Sequence, residues 1–183
     1  MLIDLQRSLL LIVDMQERLL PALSGGELAL ARAAFLIRAA KRMKSPILVS
    51  EHYASGIGRT SEMLINVLPT ECFMQKIHFS CLAEPDCRLR IAEAQRQQIL
   101  ICGTETHVCV QQTALDLNEA GYETFVVADA TASRRQDDKH LALERMRAAG
   151  IVIVSAEMVV FEWMRQGDTP LFREMLSLIK ENG

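Results

Sequence analysis

Cys109, Asp14 and Lys76 are the residues of this chain whose types and settings point to chemistry. In residues 99–110, ILICGTETHVCV, an apolar run stops at Gly103 and a cysteine follows six residues later, a pattern that predicts a strand, a tight loop and a helix start. A helix start offers unpaired N–H groups and a positive partial charge, which favour the thiolate, the nucleophilic form of cysteine. With an ammonium nearby, the expectation is a thiol pKa lowered into the working range. Asp14 ends the apolar run LLLIV at residues 9–13, where it could act as a general base that takes the thiol proton and passes it to a leaving group. Lys76 follows a short run at residues 72–75, and its charge could hold Asp14 and a thiolate together.

Each residue also has a plainer reading. Aspartate at a strand end commonly caps the next turn, lysine is usually solvated, and free cysteine is among the most buried residue types. The surrounding elements set the three apart from these readings. Strand-like runs at residues 9–13, 47–50, 72–75, 98–102, 124–128 and 151–154 alternate with helical patterns at 27–44, 86–96, 108–120 and 136–149. A short helical segment is expected at 63–68, and helices at 156–164 and 170–180 complete the chain. Pro85 behind Glu84 suits a first helical turn, and Gly121 and Gly150 suit helix ends. The pattern predicts one α/β domain over residues 1–183, a three-layer α/β/α arrangement around a six-stranded, mostly parallel, Rossmann-like sheet. Ligands in such sheets bind beyond the carboxyl ends of the strands, where strand order reverses, and Asp14, Lys76 and the loop before Cys109 all fall at such ends.

Composition narrows the function classes. With 183 residues, 50% of them hydrophobic and 23% charged, the chain suits one substantial core, and its net charge of −3 gives no general pull toward nucleic acid or an anionic membrane. Five cysteines with no CxxC pair suggest reduced thiols and a cytoplasmic setting rather than a disulfide framework. The apolar N-terminal run is interrupted by Asp4, Arg7 and Asp14 and reads as neither signal peptide nor membrane span. No GxGxxG follows the first strand, so no nucleotide cofactor is expected.

The segments LIVDMQ (residues 11–16), KIHFS (76–80), GTETHVCV (103–110) and VVADATASR (126–134) resemble those of the isochorismatase-like cysteine hydrolases, in the same order and over residues 9–155. The loop EHYASGIGRT is most similar to the small isochorismatase domain-containing members. The resemblance implies a catalytic triad of Asp14 as base, Lys76 as electrostatic partner and Cys109 as nucleophile, working through a covalent intermediate. It also implies a cis peptide at Thr104–Glu105 and an oxyanion hole formed by the N–H groups of Glu105 and Cys109. Nicotinamidases of the superfamily bind a metal through an aspartate and histidines after the second strand. Here Ser50-Glu51-His52-Tyr53 is followed by no second nearby histidine, so no metal site is expected.

Retention of the cysteine favours hydrolysis of a small amide-like or related carbonyl substrate over vinyl-ether cleavage. Gln16, His52, Tyr53, Phe79 and His107 are candidate pocket residues for that small molecule, and His78, like His107, reads as structural or pocket-lining. The resemblance further implies a homo-oligomer, with Met158, Phe161, Trp163 and Met164 as core or subunit contact. Two other classes stay open: an idle binding or scaffold protein of the same fold, and a thiol that reacts with peroxide.

Overall fold

The computed structural model describes residues 1–182 and is built around one six-stranded sheet in the order β3-β2-β1-β4-β5-β6, with every neighbouring pair parallel. The strands are β1 (Ser8–Val13), β2 (Ile47–His52), β3 (Phe73–Lys76), β4 (Gln98–Thr104), β5 (Glu123–Ala132) and β6 (Val152–Val154). Strands β1 and β4 lie side by side at the centre and are buried along their whole length, which explains their unbroken apolar runs. The chain winds outward from β1 through β2 to β3, then returns to β4 and winds the other way. The reversal therefore falls between β1 and β4.

Period-two alternation splits the central strands between two cores. Leu10, Ile12, Leu100 and Phe125 pack with Phe35 and Leu36 of helix α1 (Gly26–Met43) and with Trp163 and Met175. Leu9, Leu11, Ile99 and Ile101 pack with Ile91, Leu117 and Met146 on the other face. The first face is covered by α1, α7 (Ala156–Met164) and α8 (Pro170–Asn182), the second by α4 (Pro85–Glu93), α5 (Gln111–Glu119) and α6 (Gln136–Ala148). Two short helices, α2 (Ala54–Ile57) and α3 (Glu62–Ile65), lie in the β2–β3 connection. The apolar α7 segment divides: Trp163 is core and its indole N–H donates to Ser8 Oγ at 3.0 Å, whereas Met158 and Phe161 are exposed. No helix among the described residues is long and apolar enough to cross a membrane.

Several element ends differ from the sequence expectation, and each difference bears on the site. β2 continues through Glu51 and His52, residues expected to open a loop, because both pair with β3. β3 ends on Lys76 rather than before it. Its outer edge is covered by side chains from α4: Arg90 donates to the Phe73 carbonyl at 2.5 Å and the Cys87 thiol to that of Gln75 at 3.6 Å. β5 is longer than the expected 124–128, because its register against β4 shifts: Ile101 faces Val126 while Gly103 faces Thr131. The extra residues bulge out and return Thr131–Ala132 to the carboxyl end of β4. Gly103 is required at that end. Its φ is +131° and a Cβ there would lie 2.0 Å from the Val13 carbonyl oxygen, so only glycine lets β1 and β4 approach this closely.

Candidate active site

Asp14 leaves β1 with φ +50°, a left-handed conformation held on both sides. Its N–H donates to the Ser50 carbonyl at 3.1 Å, and its own carbonyl accepts from the Gln16 N–H at 2.9 Å and the Thr104 hydroxyl at 2.7 Å. The carboxylate is engaged at both oxygens: Ser50 Oγ donates to Oδ1 at 2.7 Å and Lys76 Nζ to Oδ2 at 2.6 Å. Lys76 gives further hydrogen bonds to the carbonyls of His78 at 3.2 Å and Phe79 at 3.0 Å, so the segment after β3 is drawn over the pair. Both side chains are buried, 0% exposed for Lys76 and 1% for Asp14. Burial works against the Lys76 charge, but the Asp14 carboxylate and the nearby Cys109 and Cys81 sulfurs outweigh it and raise the lysine pKa.

Cys109 joins this pair from the other side of the switch point. It does not stand at the first turn of an α-helix as the sequence suggests; it lies inside a π-helical turn, Thr106–Val110, that precedes α5. The Glu105 carbonyl accepts from Val108 at 3.1 Å and Val110 at 3.2 Å, on either side of the cysteine. The thiol is buried and lies close enough to the Asp14 and Lys76 side chains to feel the charge of both. The expectation of a lowered thiol pKa is corrected here. Burial, then the negative charge of Asp14, pushes it well above the ordinary value, and the Lys76 ammonium only partly offsets them. The resting group is therefore a thiol beside a carboxylate.

The peptide bond Thr104–Glu105 is cis. Glu105 is buried, and its carboxylate accepts from the backbone N–H of Arg134 at 3.0 Å and from Nε and Nη2 of the same residue at 3.0 and 2.7 Å. Burial alone would raise the Glu105 pKa, but the Arg134 hydrogen bonds and charge lower it. His107 is engaged with the β5–α6 connection: its Nδ1 meets Ser133 Oγ at 3.0 Å.

The other candidate pocket residues separate. Gln16 is fully buried and its amide is spent on the chain itself, donating to the carbonyls of His52 and Gly58 and accepting from the His52 N–H at 2.8 Å. It ties down the loop and leaves no polar group for a substrate. His52 packs its ring against Phe79 with centroids 5.3 Å apart, and burial followed by the Lys76 charge lowers its pKa, keeping the imidazole neutral. Tyr53 is about half exposed, as is Phe79. Tyr53 also lines a cavity of about 440 Å³ with Lys76, Gln75, Ile77 and Glu84. A cavity of about 630 Å³ between α4 and α5 shares no residue with Asp14, Lys76 and Cys109. Among the described residues no group of three or more His, Cys, Asp or Glu side chains is arranged to hold a metal. His78 is exposed and pairs with Glu84 at 3.0 Å.

Sequence reasoning missed two supports of the site, Ser50 and Arg134, and the hydrogen bond that the Thr104 hydroxyl gives to the Asp14 carbonyl. Ser50 was readable in principle, since parallel pairing of the first two strands sets it opposite Val13, beside Asp14. Arg134 was not, because it depends on the β5 bulge.

The sequence profile of the Isochorismatase domain family matches residues 8–158. The zebrafish (Danio rerio) isochorismatase domain-containing protein 1 is 36% identical over 168 residues, which is 91% of this chain. The chain spans 59% of that relative's length. The structure of a MAR1 ribonuclease from Caenorhabditis elegans is similar at 30% identity with a TM-score of 0.91, covering 98% of this chain and 93% of that one. The Escherichia coli YcaC gene product, described as an octameric hydrolase of unknown specificity, shares the fold at 23% identity and a TM-score of 0.91, covering 99% of this chain and 92% of that one.

Proposed function

Because this chain belongs to the isochorismatase family and carries its hydrolase fold, we propose that it is a cysteine hydrolase of small amide-like or related carbonyl substrates, working through Asp14, Lys76 and Cys109 in a single catalytic domain. The observation that carries the reading is the buried Lys76–Asp14 pair, 2.6 Å apart, with Cys109, itself buried, close enough to feel the charge of both. Cys109 Sγ bonds to the carbonyl carbon as its proton passes to Asp14, and Lys76 offsets the negative charge. The carbonyl oxygen becomes an oxyanion held by the N–H groups of Glu105 and Cys109. The C–N bond breaks as Asp14 returns the proton to the departing nitrogen, leaving a thioester. Water then adds to the thioester and gives a proton to Asp14. The C–S bond breaks, sulfur recovers that proton, and the carboxylic acid leaves.

A thiol that rests neutral supports this base-assisted order and speaks against a peroxide-reactive role, which calls for a thiolate at rest. The ribonuclease activity in the name of the Caenorhabditis elegans relative is that protein's. Here a net charge of −3 offers no pull on a phosphate backbone. All five cysteines are free, in keeping with a cytoplasmic setting. The octameric Escherichia coli relative and the exposed Met158 and Phe161 of α7 support a homo-oligomer.

The test is a panel of small primary amides assayed for ammonia release and, by intact mass, for a covalent adduct. Turnover with an adduct on Cys109, both lost in Cys109→Ala, is the expected result. Turnover that survives Cys109→Ala overturns the nucleophile, and binding without turnover across the panel favours a binding protein.

A further inference from the structure

The β5–α6 connection is fastened at two points to the loop that precedes Cys109. Ser133 meets the His107 ring at 3.0 Å, and Arg134 gives Glu105 three hydrogen bonds, one from its backbone N–H and two from its guanidinium. The connection is itself anchored from behind, because the Ser133 carbonyl accepts from the Ser24 N–H at 3.0 Å, just before α1. The Glu105 side chain is only 6% exposed although its partner is 63% exposed. Packing does not call for a charge at that position. A buried carboxylate costs desolvation, and an apolar residue of similar volume would avoid that cost. What the carboxylate adds is geometry. A planar guanidinium gripping it side-on restricts its plane as well as its distance.

We infer that Arg134 is a positioning residue for the reaction: through the Glu105 carboxylate it holds the Glu105 N–H where the oxyanion forms. The inference rests on the cysteine-hydrolase reading above. The pair sits between the end of β4 and the π-helical turn that carries Cys109, so its grip acts on the backbone joining the two proposed N–H donors. The β5 bulge is the feature of the fold that brings Arg134 within reach.

Two reactions of Cys109 in the full chain, differing in one respect, separate oxyanion support from thiol reactivity. Hydrolysis of p-nitrophenyl acetate passes through an oxyanion; alkylation by iodoacetamide, a displacement at saturated carbon, does not. Loss of an oxyanion donor costs about 100- to 1,000-fold in kcat, and misplacement by about 1 Å about 100-fold. Arg134→Ala is therefore expected to lower kcat for the ester about 10- to 100-fold, with KM within about twofold and the alkylation rate unchanged. Glu105→Gln should share the defect, the double variant should add little to either single one, and Arg134→Lys should recover part of the rate. An Arg134→Ala enzyme with unchanged kcat overturns the inference while leaving the cysteine-hydrolase reading intact. Equal losses in hydrolysis and alkylation also overturn it, since they indicate a site that has merely loosened. Absence of Cys109-dependent ester turnover in the unmodified protein overturns the reading and the inference together.

Discussion

Replacing Lys76 by Met separates the two things this lysine does, balancing a charge and filling space. The side chain of Lys76 is 0% exposed, that of Asp14 1%, and 2.6 Å separates Nζ from Oδ2. Met keeps most of the aliphatic volume, so the perturbation is the loss of the ammonium. Asp14 then holds a buried negative charge with the Ser50 hydroxyl as its remaining side-chain donor, and the His78 and Phe79 carbonyls each lose a donor. Removing one partner of a buried pair costs about 3–5 kcal/mol. For a chain of this size that lowers the midpoint of thermal unfolding by roughly 6–20 °C, at about 2–4 °C per kcal/mol. The double variant Asp14→Asn/Lys76→Met removes the stranded charge and should recover at least about half of the loss. Urea unfolding of the protein and both variants, at equal m, measures each value. A Lys76→Met midpoint within about 2 °C of the parent, or a double variant less stable than Lys76→Met, refutes the buried-charge account.

Five further outcomes follow from the same geometry. Gly103→Ala should cost more than the roughly 1–3 kcal/mol of ordinary overpacking, because its Cβ would lie 2.0 Å from the Val13 carbonyl oxygen. Gly121→Ala, also at positive φ but with no atom within 4 Å, should cost only about 1–2 kcal/mol in urea unfolding. The lowered Glu105 pKa makes the Arg134 pair stabilising above the unfolded carboxylate value of 4.5. That stability is lost as pH falls through the folded pKa, so the gap between the parent and Arg134→Ala should close in acid unfolding titrations. The Lys76 pKa is raised, so its contribution is complete below the unfolded value of 10.5 and fades as pH rises through the higher folded value, read as a falling unfolding midpoint at strongly alkaline pH. With the Cys109 thiol raised, iodoacetamide alkylation in the absence of substrate should keep accelerating past pH 9.0, the ordinary thiol value, and an early plateau near neutrality would contradict it.

Much of the architecture was legible in the sequence because it rests on local signals. Continuous apolar runs such as 9–13 and 98–102 suit strands buried on both faces, and alternation with helices implies a parallel sheet. The same reasoning brought Asp14, Lys76 and the loop before Cys109 to one rim, where the first two meet at 2.6 Å. The resemblance added the roles expected of the three. What failed were features decided between elements. The strand ends at Glu51, His52 and Thr104 depend on neighbours to pair with, and no propensity at those residues announces them.

The sequence by itself determined the layered parallel sheet and the order in which Asp14, Lys76 and Cys109 reach its carboxyl edge, since periodicity and chain direction are local properties. Only the tertiary structure decided the protonation of the thiol. A helix start and a lysine argue for a thiolate when read along the chain, but the folded protein buries the sulfur beside a carboxylate, and desolvation and like charge outweigh both. The support of Glu105 by Arg134 is likewise tertiary: it follows a bulge in β5 that returns Thr131–Ala132 to β4.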